Sequence, residues 1–269
     1  MERRLAVMAG AGVLPGQAAA EAARQGWRVV ALTFDHAAGL DGHVERIVPS
    51  SLTDIQAVLR TLTDEGVQAA LFVGKFWKQR VFDKVGEADE DGRRLARGGL
   101  SDEALASMVV TTLAGMGIEV LDQRTFLSSW MMETGTLTSR APTPAEWDEI
   151  RAGFSLARQI AGYGIGQTVV RSRGVTLAVE AAEGTDETIR RGARLAGRGA
   201  VVVKAVAAEH DFRFDIPTVG ATTLEAMAEC GATVLAVDGG KMLLVDRDAA
   251  VRTAEQAGIA LVGVHDAAG

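Results

Sequence analysis

The sequence predicts an α/β fold in two domains, an N-terminal domain with a parallel sheet and a C-terminal domain with a mixed sheet. Three observations support this prediction. The chain has 269 residues, about the size at which a single hydrophobic core stops growing. Short apolar runs alternate with segments of helical period along the first half, the pattern of βαβ units. Pairs of closely spaced apolar runs in the second half indicate hairpins, which favour a mixed sheet.

Each element of the N-terminal domain has its own signal. Strands are predicted where short runs are apolar or β-branched, and helices where apolar residues recur every three or four positions. Strands that alternate with helices build a parallel sheet through right-handed crossovers, so we expect a Rossmann-like domain over residues 1–133. In chain order the predicted elements are the strand Leu5–Ala9, the helix Pro15–Gln25, the strands Arg28–Phe34 and Arg46–Val48, the helix Leu52–Glu65, the strand Gln68–Val73, the helix Asp102–Gly115 and the strand Glu119–Leu121.

Residues 134–144 are rich in Thr, Gly and Pro, a composition typical of a linker or an exposed loop, and we expect a linker between the domains. The C-terminal domain, residues 145–269, is again predicted to be α/β. Its first hairpin turns at Ser172-Arg173-Gly174, and a second pair of strands, Thr233–Val237 and Met242–Val245, is expected to pair. The remaining predicted elements are the helix Ala145–Ala161, the strands Thr168–Arg171 and Val175–Val179, a helix from Asp186, the strand Ala200–Val206, the helices Thr222–Ala228 and Asp248–Gln256, and the strand Ile259–Val264.

Composition excludes several classes of protein. Lys and Arg number 28 against 35 Asp and Glu, and the net charge of -7 argues against a nucleic-acid-binding protein. Cys230 has no partner for a disulfide, so we expect a reducing, cytoplasmic location. Neither a signal peptide nor a membrane-spanning run of about 18 apolar residues is expected. The serine-hydrolase motif G-x-S-x-G and the spacing of zinc ligands are also absent from the sequence.

The glycine-rich segment 10–16 follows the first strand and leads into the first helix. Gly10 and Gly12 would let the backbone approach a phosphate at the start of that helix. The spacing differs from G-x-G-x-x-G and no Walker lysine follows, so NAD and a Walker-type nucleotide site are disfavoured. A plain tight turn between strand and helix explains the segment equally well.

Lys75 follows the strand Gln68–Val73, where open α/β sheets bind ligands. We expect Lys75 to contact an anionic group. A solvated, basic start of a helix is the alternative for this segment, and we favour it for the neighbouring cations Lys78 and Arg80.

Two carboxylate-rich segments lie in the C-terminal half. Glu180–Asp186 carries three carboxylates at a glycine turn that could hold a cation, although Thr185 or Asp186 could simply cap a helix. In the second segment, an extended backbone would place Glu209, Asp211, Arg213 and Asp215 on one face. A divalent metal prefers such carboxylates and an arginine can bind phosphate. A surface ladder of ion pairs is the alternative, and His210 is interpreted as structural.

Together these segments resemble the LpxI family, the UDP-2,3-diacylglucosamine pyrophosphatases of lipid A biosynthesis. The resemblance covers nearly the whole chain. The segments that carry it are 9–15, Gly74-Lys75, Gly166-Gln167, 178–186, 211–220 and Gly239-Gly240-Lys241.

The resemblance implies hydrolysis of the substrate's pyrophosphate with Mg²⁺ or Mn²⁺, giving UMP and 2,3-diacylglucosamine 1-phosphate. It assigns Asp211 and Asp215 to metal binding or water activation, and Arg213 and Lys204 to neutralising the phosphates. Glu183 and Asp186 are further candidate metal ligands. Contacts with the substrate are expected from Gly10, Gly12, Lys75, Gln167, Thr185, Thr218 and Gly220.

The partner expected for such a protein is an amphiphilic UDP-diacylglucosamine-type substrate, with no nucleic acid and at most peripheral contact with a membrane. A homodimer is also expected. The sequence departs from the family's pattern at Gly164 and at Glu209-His210. Three alternatives therefore stay open: a hydrolase of another nucleotide-linked sugar, a nucleotide-sugar-binding homologue without activity, and a nucleotidyltransferase.

Overall fold

The computed structural model describes residues 3–76 and 102–265. The chain separates into two compact units. Unit 1 consists of Met1–Ser128 together with Asp211–Asp215, and unit 2 consists of Ser129–His210 together with Ile216–Gly269. Both units combine helices with a sheet, which confirms the predicted α/β class.

Unit 1 contains a five-stranded sheet in which every pair of neighbours is parallel, in the order β3-β2-β1-β4-β5. Its apolar core includes Ala6, Val30, Leu62 and Ala70. The sheet is the predicted Rossmann-like arrangement. Its elements are β1 (Arg4–Ala9), α1 (Leu14–Arg24), β2 (Arg28–Thr33), β3 (Arg46–Pro49), α2 (Ile55–Asp64), β4 (Ala69–Val73), α3 (Asp102–Gly115), β5 (Glu119–Val120) and α4 (Arg124–Leu127).

Strand β1 lies at the centre of this sheet, because it pairs with β2 on one side and with β4 on the other. All of its residues after Arg4 are buried, which suits the continuous apolar run of a strand in a parallel sheet. The chain passes from β1 to β2 on one side, whereas β4 pairs with β1 on the other side. The strand order therefore reverses between β1 and β4, and open sheets of this kind bind ligands beside such a reversal.

Unit 2 contains a six-stranded mixed sheet in the order β6-β13-β11-β9-β7-β8. Strands β9, β11 and β13 are mutually parallel, while β6, β7 and β8 each run antiparallel to a neighbour. The mixed sheet confirms the prediction for this half. The elements are β6 (Gly135–Thr136), α5 (Pro144–Gly162), β7 (Thr168–Ser172), β8 (Val175–Val179), α6 (Thr185–Ala196), β9 (Ala200–Lys204), β10 (Thr218–Val219), α7 (Ala221–Cys230), β11 (Ala232–Asp238), β12 (Leu243–Leu244), α8 (Arg247–Ala257) and β13 (Ala260–Val264).

Two predictions about unit 2 are wrong. The run Thr233–Val237 does not pair with Met242–Val245, because β11 lies between β9 and β13 while β12 pairs with β10 in a separate two-stranded sheet. Residues 134–144 are not a free linker either. Strand β6 pairs with β13, and the Thr138 hydroxyl accepts a hydrogen bond from the Leu261 amide at 3.0 Å.

The start of α5 shows why that helix forms where the sequence predicts it. The Thr143 hydroxyl accepts a hydrogen bond from the Glu146 amide at 3.3 Å, and the Glu146 carboxylate accepts one from the Thr143 amide at 2.8 Å. This capping box satisfies amides that lack a partner within the helix. Within residues 3–76 and 102–265, no helix combines the length and the apolar composition needed to cross a bilayer.

Candidate functional site

The carboxyl edge of the unit 1 sheet brings the glycine-rich loop and Lys75 together. The Ala11 amide donates to the Lys75 carbonyl and the Lys75 amide donates to the Ala11 carbonyl, both at 2.9 Å. The backbones approach so closely that a Cβ added at Gly10 would lie 2.7 Å from the Lys75 carbonyl oxygen. The two loops are therefore joined at the reversal of strand order, and Lys75 is exposed there.

The amides of the two predicted glycines already have backbone partners. The Gly10 amide donates to the Val73 carbonyl at 2.9 Å, and the Gly12 amide donates to the His36 carbonyl at 3.1 Å. These two amides are therefore not available to donate to a phosphate. Gly10 instead allows the two backbones to approach closely, and Gly12 has a backbone φ of 105°, which glycine adopts readily. Their contact with a substrate stays a prediction, as does that of Lys75. Lys78 and Arg80 lie outside the described residues.

The segment Asp211–Asp215 forms a turn that belongs to unit 1. The Arg213 amide donates to Asp211 Oδ1 at 3.0 Å, and the Phe214 amide donates to the Asp211 carbonyl at 3.3 Å. The prediction of an extended segment with Glu209, Asp211, Arg213 and Asp215 on one face is therefore wrong. A short aspartate side chain that bonds to the backbone two residues on favours a turn over a strand.

Asp211 and Arg213 form a bidentate ion pair on this turn. Arg213 Nε donates to Oδ1 at 2.9 Å and Nη2 donates to Oδ2 at 2.8 Å. Hydrogen bonding to Asp211 raises the pKa of Arg213, with burial acting in the opposite direction. Both side chains are 40% exposed, so the pair is accessible from solvent. Asp215 is exposed at the end of the same turn.

Aromatic and backbone contacts hold the turn against the rest of unit 1. The Gln123 amide donates to the Phe212 carbonyl at 3.2 Å, and the Arg124 guanidinium carbon lies 3.9 Å from the centre of the Phe212 ring. The Phe214 ring centre lies 5.2 Å from that of Phe72 in β4. The charged turn therefore lies beside the carboxyl ends of β4 and β5.

A second carboxylate–arginine pair, missed by the sequence analysis, lies next to the first. Arg124 Nε contacts both oxygens of Asp122 at 3.0 Å. Burial raises the pKa of Asp122, but hydrogen bonds from the Arg124 side chain and amide outweigh it and hold that pKa below its usual value, while the charge of Asp211 opposes them. The position of Asp122 directly after a predicted strand of a parallel sheet is the signal that could have identified it.

In unit 2 the structure brings together four of the predicted residues through a buried lysine. Lys204, at the end of β9, is 8% exposed. Its ammonium group donates to the Thr185 hydroxyl at 3.0 Å and to the Thr218 carbonyl at 3.1 Å. The Thr185 hydroxyl donates to Glu180 Oε1 at 2.9 Å, and the Gln167 amide donates to Glu180 Oε2 at 3.3 Å. Glu180 entered the sequence analysis only as one of three carboxylates that could hold a cation, and a contact with Thr185 was not predicted for it.

The other predicted residues of unit 2 lie near this cluster in the chain. Gly220 is the N-cap of α7, where an added Cβ would lie 3.1 Å from the Val245 carbonyl oxygen. Glu183 pairs with Arg191 at 2.5 Å and accepts from the Thr188 hydroxyl at 3.2 Å. A hydrogen bond from its own backbone and the one from Arg191 lower the pKa of Glu183. Asp186 lies in the first turn of α6.

The predicted metal ligands do not form one compact group. Among the described residues, no three or more His, Cys, Asp or Glu side chains are placed to share a metal ion. Asp211 and Asp122 are nevertheless close enough to interact electrostatically. The predicted requirement for Mg²⁺ or Mn²⁺ stays a prediction.

The fold and these charged clusters define a two-unit α/β protein with polar groups at the carboxyl ends of its strands, where such sheets bind ligands. The sequence profile of the LpxI N-terminal domain matches residues 4–130, and that of the LpxI C-terminal domain matches residues 133–262. The chain is 30% identical to the UDP-2,3-diacylglucosamine pyrophosphatase LpxI of Caulobacter vibrioides, over 97% of this chain and 98% of that relative. The chain therefore belongs to the LpxI family, which confirms the resemblance found in the sequence.

Proposed function

We propose that the chain hydrolyses the pyrophosphate of UDP-2,3-diacylglucosamine to UMP and 2,3-diacylglucosamine 1-phosphate. The observation that carries this proposal is the 30% identity to the Caulobacter vibrioides pyrophosphatase along nearly the full length of both chains. Water adds to one phosphorus while the bond from that phosphorus to the bridging oxygen breaks, so the two named products account for every atom.

In unit 1, the Asp211–Arg213 pair supplies the groups that such a hydrolysis needs. A half-exposed ion pair contributes only about 0–1 kcal/mol, so a substrate phosphate can replace Asp211 as the partner of Arg213 at little cost. The guanidinium then binds phosphate oxygens bidentately. Asp211 becomes available to orient the attacking water and accept its proton.

In unit 2, Lys204 provides a fixed positive charge that can neutralise a substrate phosphate. Its side chain is buried and held by Thr185 and the Thr218 carbonyl. A preoriented charge stabilises a transition state without having to reorganise when charge develops. Gln167, Gly220, Gly10, Gly12 and Lys75 are proposed as substrate contacts.

The donor set in unit 1 fits a Mg²⁺ ion that arrives with the substrate. Mg²⁺ is commonly held by one or two carboxylates and substrate phosphates, and it keeps several waters. Asp211 and its neighbour Asp122 would supply the carboxylates, with Asp215 next on the same turn. When bound, the ion would neutralise phosphate charge. Glu183 and Asp186 in unit 2 stay second choices as metal ligands.

The proposal extends to the setting of the reaction. We propose a cytoplasmic protein. Because the substrate carries two acyl chains, we propose at most peripheral contact with a membrane. We also keep a homodimer as part of the proposal.

The first prediction tests the activity. The purified chain with Mg²⁺ should release UMP from UDP-2,3-diacylglucosamine, and ³¹P NMR should show one UMP for each sugar 1-phosphate. EDTA should abolish release and excess Mg²⁺ or Mn²⁺ should restore it.

UDP-N-acetylglucosamine serves as the matched control because it shares the nucleotide and the pyrophosphate. Equal turnover of both compounds would replace the proposal with a hydrolase of other nucleotide-linked sugars. Binding without turnover would identify a nucleotide-sugar-binding homologue, and full activity in EDTA would exclude the metal requirement.

A further inference from the structure

Lys204, Thr168 and Glu180 lie in a row across the unit 2 sheet, at the end where β9 finishes. Thr168 is directly opposite Lys204 in the antiparallel pairing of β7 with β9. The Glu180 amide donates to the Thr168 carbonyl at 2.8 Å, which places Glu180 on the other side of Thr168. Opposed residues of neighbouring strands point to the same face of a sheet.

Helix α6 covers that face. A Cβ added at Gly192 would lie 2.5 Å from Val170 Cβ and 3.0 Å from Ala178 Cβ, so these two residues face α6. Thr168 follows the same alternation as Val170, and its partner Lys204 therefore points under the start of α6. Thr185, the first residue of α6, lies there to meet it.

The Thr185 hydroxyl joins Lys204 to Glu180 in one fixed direction. An ammonium group can only donate and a carboxylate can only accept, so the hydroxyl must accept from Lys204 and donate to Glu180. The hydroxyl of Thr168, fully buried beside Lys204, has no hydrogen-bond partner among the described residues. Lys204 thus bonds to Thr185 and Thr218 although another hydroxyl lies on the opposite strand.

We propose that Glu180 is a positioning residue that acts on Lys204 through the Thr185 hydroxyl. Its carboxylate places a negative charge one hydroxyl group away from the buried ammonium, and its two oxygens tie Thr185 to the Gln167 amide. Burying a charge without such a partner is costly. The role of Glu180 in the reaction rests on the proposed function, whereas its effect on Lys204 does not.

A double-mutant cycle tests the coupling in the proposed reaction. E180Q keeps the shape of the side chain and removes its charge. We expect kcat to fall about 10–100-fold, by analogy with the loss of a group that orients a metal ligand. The double variant E180Q/K204M should be no slower than K204M alone, because Glu180 acts through Lys204. If kcat of E180Q/K204M instead falls below that of K204M by the same factor that E180Q costs in the wild type, the two residues act independently and the proposal is overturned.

A measurement without substrate separates this inference from the proposed function. In ¹H–¹⁵N spectra of the lysine ammonium groups, the Lys204 signal is identified by its loss in K204M. E180Q should shift or broaden that signal. The control E187Q, an acid in the first turn of α6 that pairs with Arg190 and is 63% exposed, should leave both the signal and kcat unchanged.

The outcomes are distinct. An inactive wild type would overturn the proposed function, while the ammonium spectra would still decide the role of Glu180. A Lys204 signal that is unaffected by E180Q would overturn the inference, whatever the activity. If E180Q unfolds, T185V breaks the same chain of hydrogen bonds at its middle and should perturb the same signal.

Discussion

Asp211 accepts three hydrogen bonds from Arg213, one from its amide and two from its guanidinium group. The amide bond shapes the turn, whereas the guanidinium bonds balance charge. These two roles can be separated experimentally because an asparagine keeps an oxygen for the amide and loses the charge.

The third prediction, after the activity assay and the E180Q test, uses this difference. Asp211→Asn should lower kcat about 10²–10⁴-fold, the usual cost of losing a group that assists proton transfer. Its free energy of unfolding should change by less than about 1 kcal/mol, because the ion pair is half-exposed. Steady-state kinetics and urea unfolding measure the two effects.

Asp148→Asn is the control for this variant. Asp148 pairs with Arg151 on an exposed face of α5 and is 75% exposed, so its loss should change neither quantity. If Asp211→Asn keeps wild-type activity, the Asp211–Arg213 pair has only a structural role and the surface ion-pair interpretation is correct.

Sequence reasoning identified residue types in the site better than it identified their partners. Lys204, Thr185, Gln167 and Thr218 were predicted separately, and the structure brings them together. Glu180 was predicted only as one of three carboxylates that could hold a cation, because its link to Lys204 depends on the register of β7 with β8 and β9. No periodicity in the sequence contains that register.

Helix α6 illustrates packing at the scale of an element. Gly192 lets this helix approach β7 and β8 so closely that a Cβ would lie 2.5 Å from Val170 Cβ. A branched side chain fixed in a central strand cannot move aside easily. Close packing therefore determines this position despite the low helix propensity of glycine.

The fourth prediction follows from this contact. Gly192→Ala should lower the free energy of unfolding by up to about 2 kcal/mol, because overpacking costs about 1–3 kcal/mol and alanine's helix propensity returns only about 1 kcal/mol. Gly162→Ala is the matched control, since a Cβ there would meet no atom within 4 Å. It should be neutral or stabilise the protein by up to about 1 kcal/mol. Denaturant unfolding of both variants checks the signs, and a more stable Gly192→Ala would show that β7 can shift to make room.

The elements themselves were largely predictable, and their pairing was less so. Apolar runs identified β1, β4, β9 and β11 because buried parallel strands are apolar on both faces. The run at Met242–Val245 is close in sequence to β11, which suggested a hairpin. In the structure its residues Leu243 and Leu244 pair instead with Thr218 and Val219, a contact between distant parts of the chain.

At the scale of the whole molecule, the boundary between the two units does not follow the order of the chain. Residues 211–215 belong to unit 1, although the chain on both sides of them belongs to unit 2. Phe214 packs against the apolar core of unit 1, as Phe72 does, and the two rings contact each other. A fragment that ends near residue 130 therefore lacks part of the first unit.

The fifth prediction tests this assignment. Phe214→Ala should destabilise unit 1 by about 1–3 kcal/mol, less than the loss of a fully buried phenylalanine. Hydrogen exchange measured by mass spectrometry should then show faster exchange in peptides of β4 and unchanged exchange in peptides of β9.

Phe154→Ala provides the opposite control, since Phe154 is 2% exposed in the core of unit 2. It should accelerate exchange in β9 and spare β4. Equal acceleration of both strands in either variant would mean that the two units unfold together.

The position of residues 211–215 also has a consequence for how the protein is made. Domains generally fold in order as the chain leaves the ribosome, at about 5–20 residues per second. Unit 1 must wait for a segment that is synthesised on the order of ten seconds after Ser128. During that interval the nascent N-terminal half lacks Phe214 and exposes the apolar surface that this ring will cover, so a chaperone would be of most use at this stage.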